Sequence, residues 1–343
     1  MGQIIRRDRR PRKGDVHAVR RMEDGDKRRL GVRRDVRSSA GGLRNAPRGA
    51  TSGDAKEEAA LRSTIAAAAG VLALTLAACA SAPKEAPTLD VIGDRLFVDA
   101  TVNGVPVSAL LDSAAEISFA DKAWAAANGV ATFGAETAKG TGGTAEVEFA
   151  EGVAVEALGT RLEGLTIAVL DLSDISNRIV GRKVSFILGR EIFDKERLAI
   201  DIEGRSIALA DRAKAPGGAA LALTGERGVE TFKARVNGES VNAEFDLGNG
   251  GAVLIGRPLA EKLGLLDDPL SLETRQGGGV GGEVERKVVT LKTLEFAGET
   301  FAEVEAEVDE TENAGEINIG VKLLRKFRIT ADFSERTIWL DRR

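Results

Sequence analysis

Apolar and polar positions alternate along RLFVDATVNG at 95–104 and along TFKARVNG at 231–238, and both stretches end in Asn-Gly. Alternation of this kind marks a strand with one buried face, and Asn-Gly accepts the positive φ that a tight hairpin turn demands. FAEVEAEVD at 301–309 repeats the pattern, with Val304, Ala306 and Val308 on one face and Glu303, Glu305 and Glu307 on the other. Helical spacing is confined to ADKAWAAANG (120–129) and RPLAEKLG (257–264), each stopped by a glycine, Gly129 or Gly264. The pattern predicts an all-β protein with one short helix in each half. Trp124 and Trp339 fall inside the helical and last-strand patterns, so both are expected in the core.

The two halves are copies. VNGVPVSALLDSAAE (102–116) parallels VNGESVNAEFDLGNG (236–250), matching Asn103-Gly104 to Asn237-Gly238 and Asp112 to Asp246 at an offset of 134. Further on, FILGREIFDKERLAIDIEGRSIAL (186–209) parallels INIGVKLLRKFRITADFSERTIWL (317–340), with Gly189 and Gly320, Asp201 and Asp332, Leu209 and Leu340 offset by 131. Repetition at a fixed spacing predicts two similar lobes, here 88–212 and 221–343, joined by a hinge at 213–220 that contains APGGAA. Asp201 and Asp332 each precede a short polar turn, EGR or SER, and are expected to serve hairpins.

Composition narrows the chemistry. The chain has 40 glycines and no tyrosine, in keeping with turn-rich β structure, and a single histidine and a single cysteine. His17 lies outside the repeats, which removes Ser-His-Asp and Cys-His hydrolases and His-ligated zinc from the repeated part. Cys79 has no partner for an intrachain disulfide. QGGGVGG at 276–282 lacks the Lys-Ser/Thr of a phosphate loop. Carboxylates remain the best candidates, without metal or cofactor.

A duplicated lobe that ends an apolar strand in one aspartate brings two carboxylates to a pseudo-twofold axis. Held about 3 Å apart, they cannot both ionise, so one keeps a proton while the other is charged. Such a pair can deprotonate a water towards a peptide carbonyl and protonate the leaving nitrogen. ALLDSAAEIS and AEFDLGNGG resemble the Asp-Thr/Ser-Gly elbows of the aspartic proteases, and the later ILG segment resembles their retropepsin-like bacterial members. The resemblance covers 88–343. It implies two closed-barrel lobes with Asp112 and Asp246 as catalytic residues, supported by Ser113, Ala114, Leu247 and Gly248. It further implies that Ile187-Leu188-Gly189 and Ile317-Asn318-Ile319-Gly320 pack under the elbows. Flaps would form around Gly140, Gly142 and Gly143 and around Gly278 and Gly279, over a peptide or unfolded-protein substrate. Two positions depart from the family: Ala114 stands where it has Gly, and Leu247 where it has Thr or Ser. Ser113 can then make its cross-lobe hydroxyl bond and Leu247 cannot. An aspartic endopeptidase is the first reading, and a protease-shaped module that binds peptide without cleaving it is the second.

The N-terminal part reads differently. Residues 1–50 carry 16 Lys and Arg against 6 Asp and Glu in a chain of net charge −5, a basic leader without aromatic residues. An uncharged run, Ser63–Ala78, then leads into Leu76-Ala77-Ala78-Cys79. This resembles a bacterial lipoprotein signal over 61–78, in which Cys79 becomes the lipidated first residue, followed by a linker at 79–87. Residues 1–60 would then be a gene-model artefact preceding the true start. An exported lipoprotein on the periplasmic face of the outer membrane is expected, with membrane and peptide as partners and no nucleic acid.

Overall fold

The computed structural model describes residues 88–343, apart from 226, 227 and 269, together with a two-residue strand at Gln3–Ile4. Apart from that strand, the leader, the signal-like run, Cys79 and the linker lie outside the described residues.

Each half forms a sheet with the same strand order. In the first lobe Phe133–Gly140, Gly143–Ala157, Thr160–Leu170, Phe119–Asp121, Phe186–Leu188, Val105–Leu111 and Arg95–Val102 lie side by side. In the second the order is Thr274–Gly279, Gly282–Phe296, Glu299–Asp309, Val253–Gly256, Ile317–Ile319, Glu239–Phe245 and Thr231–Val236. The first sheet adds Asp90–Ile92 at one edge and Gln3–Ile4 at the other, where Gln3 and Ile4 pair with Gly140 and Lys139. Register is preserved as well. Leu110 faces Ile187 in a parallel pair, and Glu244 faces Asn318 at the corresponding place.

The Asn-Gly turns explain how each sheet curls. Asn103 and Asn237 both adopt φ 50°, and each side chain accepts a hydrogen bond from a strand beyond its own hairpin. Ala154 N–H donates to Asn103 Oδ1 at 2.9 Å, and Thr293 N–H to Asn237 Oδ1 at 3.0 Å. Arg95–Val102 is thereby drawn onto Gly143–Ala157, and Thr231–Val236 onto Gly282–Phe296. The expected closed barrels are only partly realised, because these contacts span two or three residues. Among the described residues each lobe has two short α-helices rather than one: Lys122–Ala127 and Glu191–Lys195, then Arg257–Lys262 and Val321–Leu324. The first lobe adds a π-helical turn at Ile175–Val180. Helices of four or five residues are too short to leave a periodic signal.

A third sheet joins the halves, in the order Ser206–Leu209, Leu198–Asp201, Phe327–Asp332, Thr337–Arg342, Ala219–Ala222. The segment expected as a hinge therefore runs into strand, with Ala219 and Ala220 opposite Leu340 and Trp339. Asp201 serves its hairpin, accepting from Gly204 N–H at 2.5 Å. Asp332 does more. Fully buried, it accepts from Arg197 Nε at 3.0 Å, from Arg212 Nε at 2.8 Å and from Ser334 Oγ at 2.7 Å. Burial alone would raise this carboxyl, but the bonds from Arg212, Ser334 and Arg197 outweigh it and hold the pKa well below the usual range. Trp124 is buried as expected, whereas Trp339 is half-exposed with the Arg197 guanidinium 4.9 Å above its ring.

Candidate functional site

Both elbow aspartates are fully buried at the ends of equivalent strands. Asp112 N–H donates to Leu188 O at 2.9 Å and Asp246 N–H to Ile319 O at 3.2 Å, so each strand keeps its parallel pairing up to the aspartate and then turns. The turns are held by the carboxylates themselves. Asp112 Oδ1 accepts from Ala114 N–H at 3.0 Å, and Asp246 Oδ1 accepts from Gly248 N–H at 2.8 Å and Asn249 N–H at 2.9 Å.

Gly248 brings the carboxyls together. While its N–H bonds Asp246, its α-carbon lies so close to Asp112 that a β-carbon there would stand 2.3 Å from Asp112 Cγ. Ser113 ties the elbows across the lobes, donating to Phe245 O at 2.9 Å and accepting from Leu247 N–H at 2.9 Å. Leu247 offers no hydroxyl in return, and its side chain is fully buried in the main apolar core. Ala114 is buried against Val229 of the other lobe.

The environment separates the two acids. Burial, followed by the charge of Asp246, pushes Asp112 up to about 6. Asp112 Oδ2 is buried and has no hydrogen-bond partner among the described residues. Asp246 instead sits in a polar network: Asn318 Nδ2 donates to Asp246 Oδ2 at 2.8 Å and to Glu244 Oε2 at 3.0 Å. Asn249 Nδ2 donates to Asn318 Oδ1 at 2.8 Å, which fixes the Asn318 amide with its NH₂ towards both carboxylates. Asp112 is thus the carboxyl whose charged form its surroundings oppose.

The glycine-rich stretches form two hairpins whose tips meet. Gly140 pairs with Gly143 around a Thr141-Gly142 turn, and Gly278 and Gly279 pair with Glu283 and Gly282. Gly142 N–H donates to Val280 O at 3.0 Å, and Arg286 Nη2 donates to Thr141 O at 2.7 Å. The second hairpin is also held by the first lobe. Arg178 Nη1 and Nη2 donate to Gly277 O at 2.8 Å and Gly282 O at 3.1 Å, and Val280 is buried in an apolar cluster with Ala138, Phe149 and Ile187.

Arg95, at the start of Arg95–Val102, gave no signal in the sequence. Its guanidinium fills the space that a side chain at Gly250 would take, four residues beyond Asp246. Burial lowers its pKa from the ordinary arginine value, against the opposing charges of Asp246, Asp112 and Asp94. It remains a cation at any physiological pH. Asn318 was placed under the second elbow by the sequence but without its polar role, and Glu244 was missed, although a polar residue between Ile317 and Ile319 was a visible irregularity.

A family model described as aspartyl protease matches the chain twice, over 98–192 and 232–323, together more than half its length, with one elbow aspartate, Asp112 or Asp246, in each match. The chain is similar to a retropepsin-like aspartic protease from Rickettsia conorii, at 22% identity over 36% of this chain and 89% of that one, with a TM-score of 0.30. It is also similar to basic 7S globulin from soybean, at 10% identity over 75% of this chain and 94% of that one, with a TM-score of 0.43. No curated protein sequence matches it.

Proposed function

The chain belongs to the aspartyl protease family, and we propose that it is an endopeptidase whose Asp112 and Asp246 activate one water against a peptide bond. The observation that carries this reading is the pair of buried carboxyls on either side of Gly248, one of them raised to about 6. Asp246, as carboxylate, takes a proton from the water while Asp112 protonates the carbonyl oxygen, and the proton then passes to the leaving nitrogen. Ser113 and the Asn318 network keep both groups in place without touching substrate. The outer edge of the first flap, which carries Gln3–Ile4 as an added strand, supports binding of an extended peptide by backbone pairing.

The test is turnover of an unfolded protein by the full chain between pH 3 and 8. Cleavage should fall as pH rises through about 6, where Asp112 loses its proton, and Asp112→Asn and Asp246→Asn should each remove it. A second reading, peptide binding without cleavage, is favoured by Arg95, since a cation beside the pair opposes the shared proton. Equal inertness of wild type and both variants, with peptide binding intact, would establish it.

The uncharged run before Leu76-Ala77-Ala78-Cys79 supports a lipid anchor on Cys79 and a place on the periplasmic face of the outer membrane. Mass spectrometry of membrane-extracted protein should then find no peptide N-terminal to Cys79. Recovery of intact, unlipidated 1–78 excludes the anchor.

A further inference from the structure

Next to the second elbow lies a pocket of about 370 Å³, walled by the Asn249–Leu254 loop that follows Asp246 and by Gln276–Gly278 of the second glycine-rich hairpin. Its charged lining is unbalanced: Arg95, Arg178, Arg286 and Lys322 against Asp94 and Glu307. Both acids already have cations. Asp94 accepts from Arg325 at 2.7 Å, and Glu307 lies 3.6 Å from Arg286. Arg178 is neutralised by Asp174 on its own turn and spends its remaining donors on the flap carbonyls.

Lys322 is exposed, and Arg95 is the largely buried cation of this lining that makes no close ion pair among the described residues, although the charges of Asp246, Asp112 and Asp94 act on it. Its one hydrogen bond among the described residues is a 3.5 Å contact from Nη1 to the carbonyl of Gly93 in its own turn, and its Nε is buried with no partner. Arg286 Nε, in the same wall, is likewise buried and without a partner. Donors left unsatisfied in a buried wall are costly, and a carboxylate is the group whose two oxygens match a guanidinium edge. The fold itself does not require an arginine here. At the 134-residue offset the second lobe has Val229, which only packs on Ala114.

We propose that this pocket is a subsite for an acidic side chain of the bound peptide, with Arg95 as the cation that receives it. The proposal rests on the cleft being a peptide site, not on its cleaving what it binds. A glutamate or aspartate placed there would be held close to the reacting pair. A neutral isostere would offer Arg95 one acceptor oxygen and no charge, and a lysine would be repelled.

The experiment uses the full chain carrying Asp112→Asn, so that no probe is consumed. N-acetylated, C-amidated ten-residue peptides with one Glu walked along a neutral sequence are compared with Gln at the same position, by fluorescence anisotropy. One register should show Glu binding at least tenfold tighter than Gln, the advantage shrinking between 50 and 500 mM salt. Arg95→Gln should abolish that difference, Arg95→Lys should retain part of it, and Lys122→Gln, on the outer surface, should leave it unchanged. Equal binding of Glu and Gln in every register, a preference that survives Arg95→Gln, or no binding of any peptide overturns the proposal. Failure of the parent chain to cleave the preferred peptide while the preference stands counts against the protease reading alone. Loss of the Glu preference in Arg95→Gln together with its retention in Arg95→Lys separates a lost charge from a lost fold.

Discussion

The two elbows come from one duplicated sequence, yet they hold their aspartates by different means. Behind Asp112 the parallel pair is Leu110 and Ile187, both fully buried and apolar. Behind Asp246 the same places hold Glu244 and Asn318, and the Asn318 amide donates both to Glu244 and to the Asp246 carboxylate. The cross-lobe hydroxyl is present only in the first elbow, at Ser113, and the polar anchor only in the second. A symmetric fold has thus divided two tasks that symmetry would have duplicated, and the division makes the carboxyls unequal: one raised by a dry setting, one fixed by donors.

The aspartates test this most severely. Asp112→Asn and Asp246→Asn should each lower kcat/KM by about 10³-fold or more, but their stabilities should part. Asp112 has a folded pKa above its unfolded value, so its burial costs nothing below the unfolded pKa and the full penalty once pH exceeds about 6. Asp112→Asn should therefore stabilise the fold at pH 8 by on the order of 2 kcal/mol and leave pH 3.5 unchanged. Asp246→Asn sets one NH₂ against that of Asn318 and should destabilise by about 1–3 kcal/mol at both. Urea midpoints for both variants at the two pH values decide it.

Making the second elbow resemble the first is the next strongest intervention. Asn318→Ile removes one donor from Glu244 and one from Asp246 and should cost about 2–4 kcal/mol. Adding Glu244→Leu restores the apolar pair of the first lobe and should recover part of that loss, as a double-mutant cycle in urea would measure. Ser113→Ala removes the bond to Phe245 O and the acceptor of Leu247 N–H together, for about 1–2 kcal/mol and a roughly tenfold drop in turnover. Leu247→Thr should have the smallest effect. It exchanges apolar burial for a hydroxyl, at about 1 kcal/mol, with turnover equal to the parent or a few-fold higher in the same assay.

Much of this was legible in the sequence because the repeat carries it. Asn-Gly turns, strand alternation and the aspartate after an apolar run all leave local marks, and equal offsets convert them into equal geometry. The flap glycines fell on hairpin tips for the same reason. Arg95 was invisible, since a single arginine opening a strand looks like any solvated position until the other lobe closes over it. The shared third sheet was hidden too, because pairing of Leu198–Asp201 with Phe327–Asp332 spans more than a hundred residues. Asp332 looked like one more turn residue, although it also binds two arginines drawn from the first lobe.

Val280, seated in the first lobe, would set a kinetic condition on any peptide that had to pass beneath the hairpin tips. Lifting the tip exposes a valine, worth about 1.5 kcal/mol, and breaks the Gly142 and Arg178 bonds to the flap carbonyls, at about 1 kcal/mol each. An opening cost near 4.5 kcal/mol leaves about one molecule in two thousand open at any instant. Association, ordinarily about 10⁵–10⁷ M⁻¹s⁻¹ for a specific encounter, would slow by that fraction. Scarce or fleeting ligands are lost to this waiting time. Abundant chains, or chains held nearby, meet the door often enough to enter.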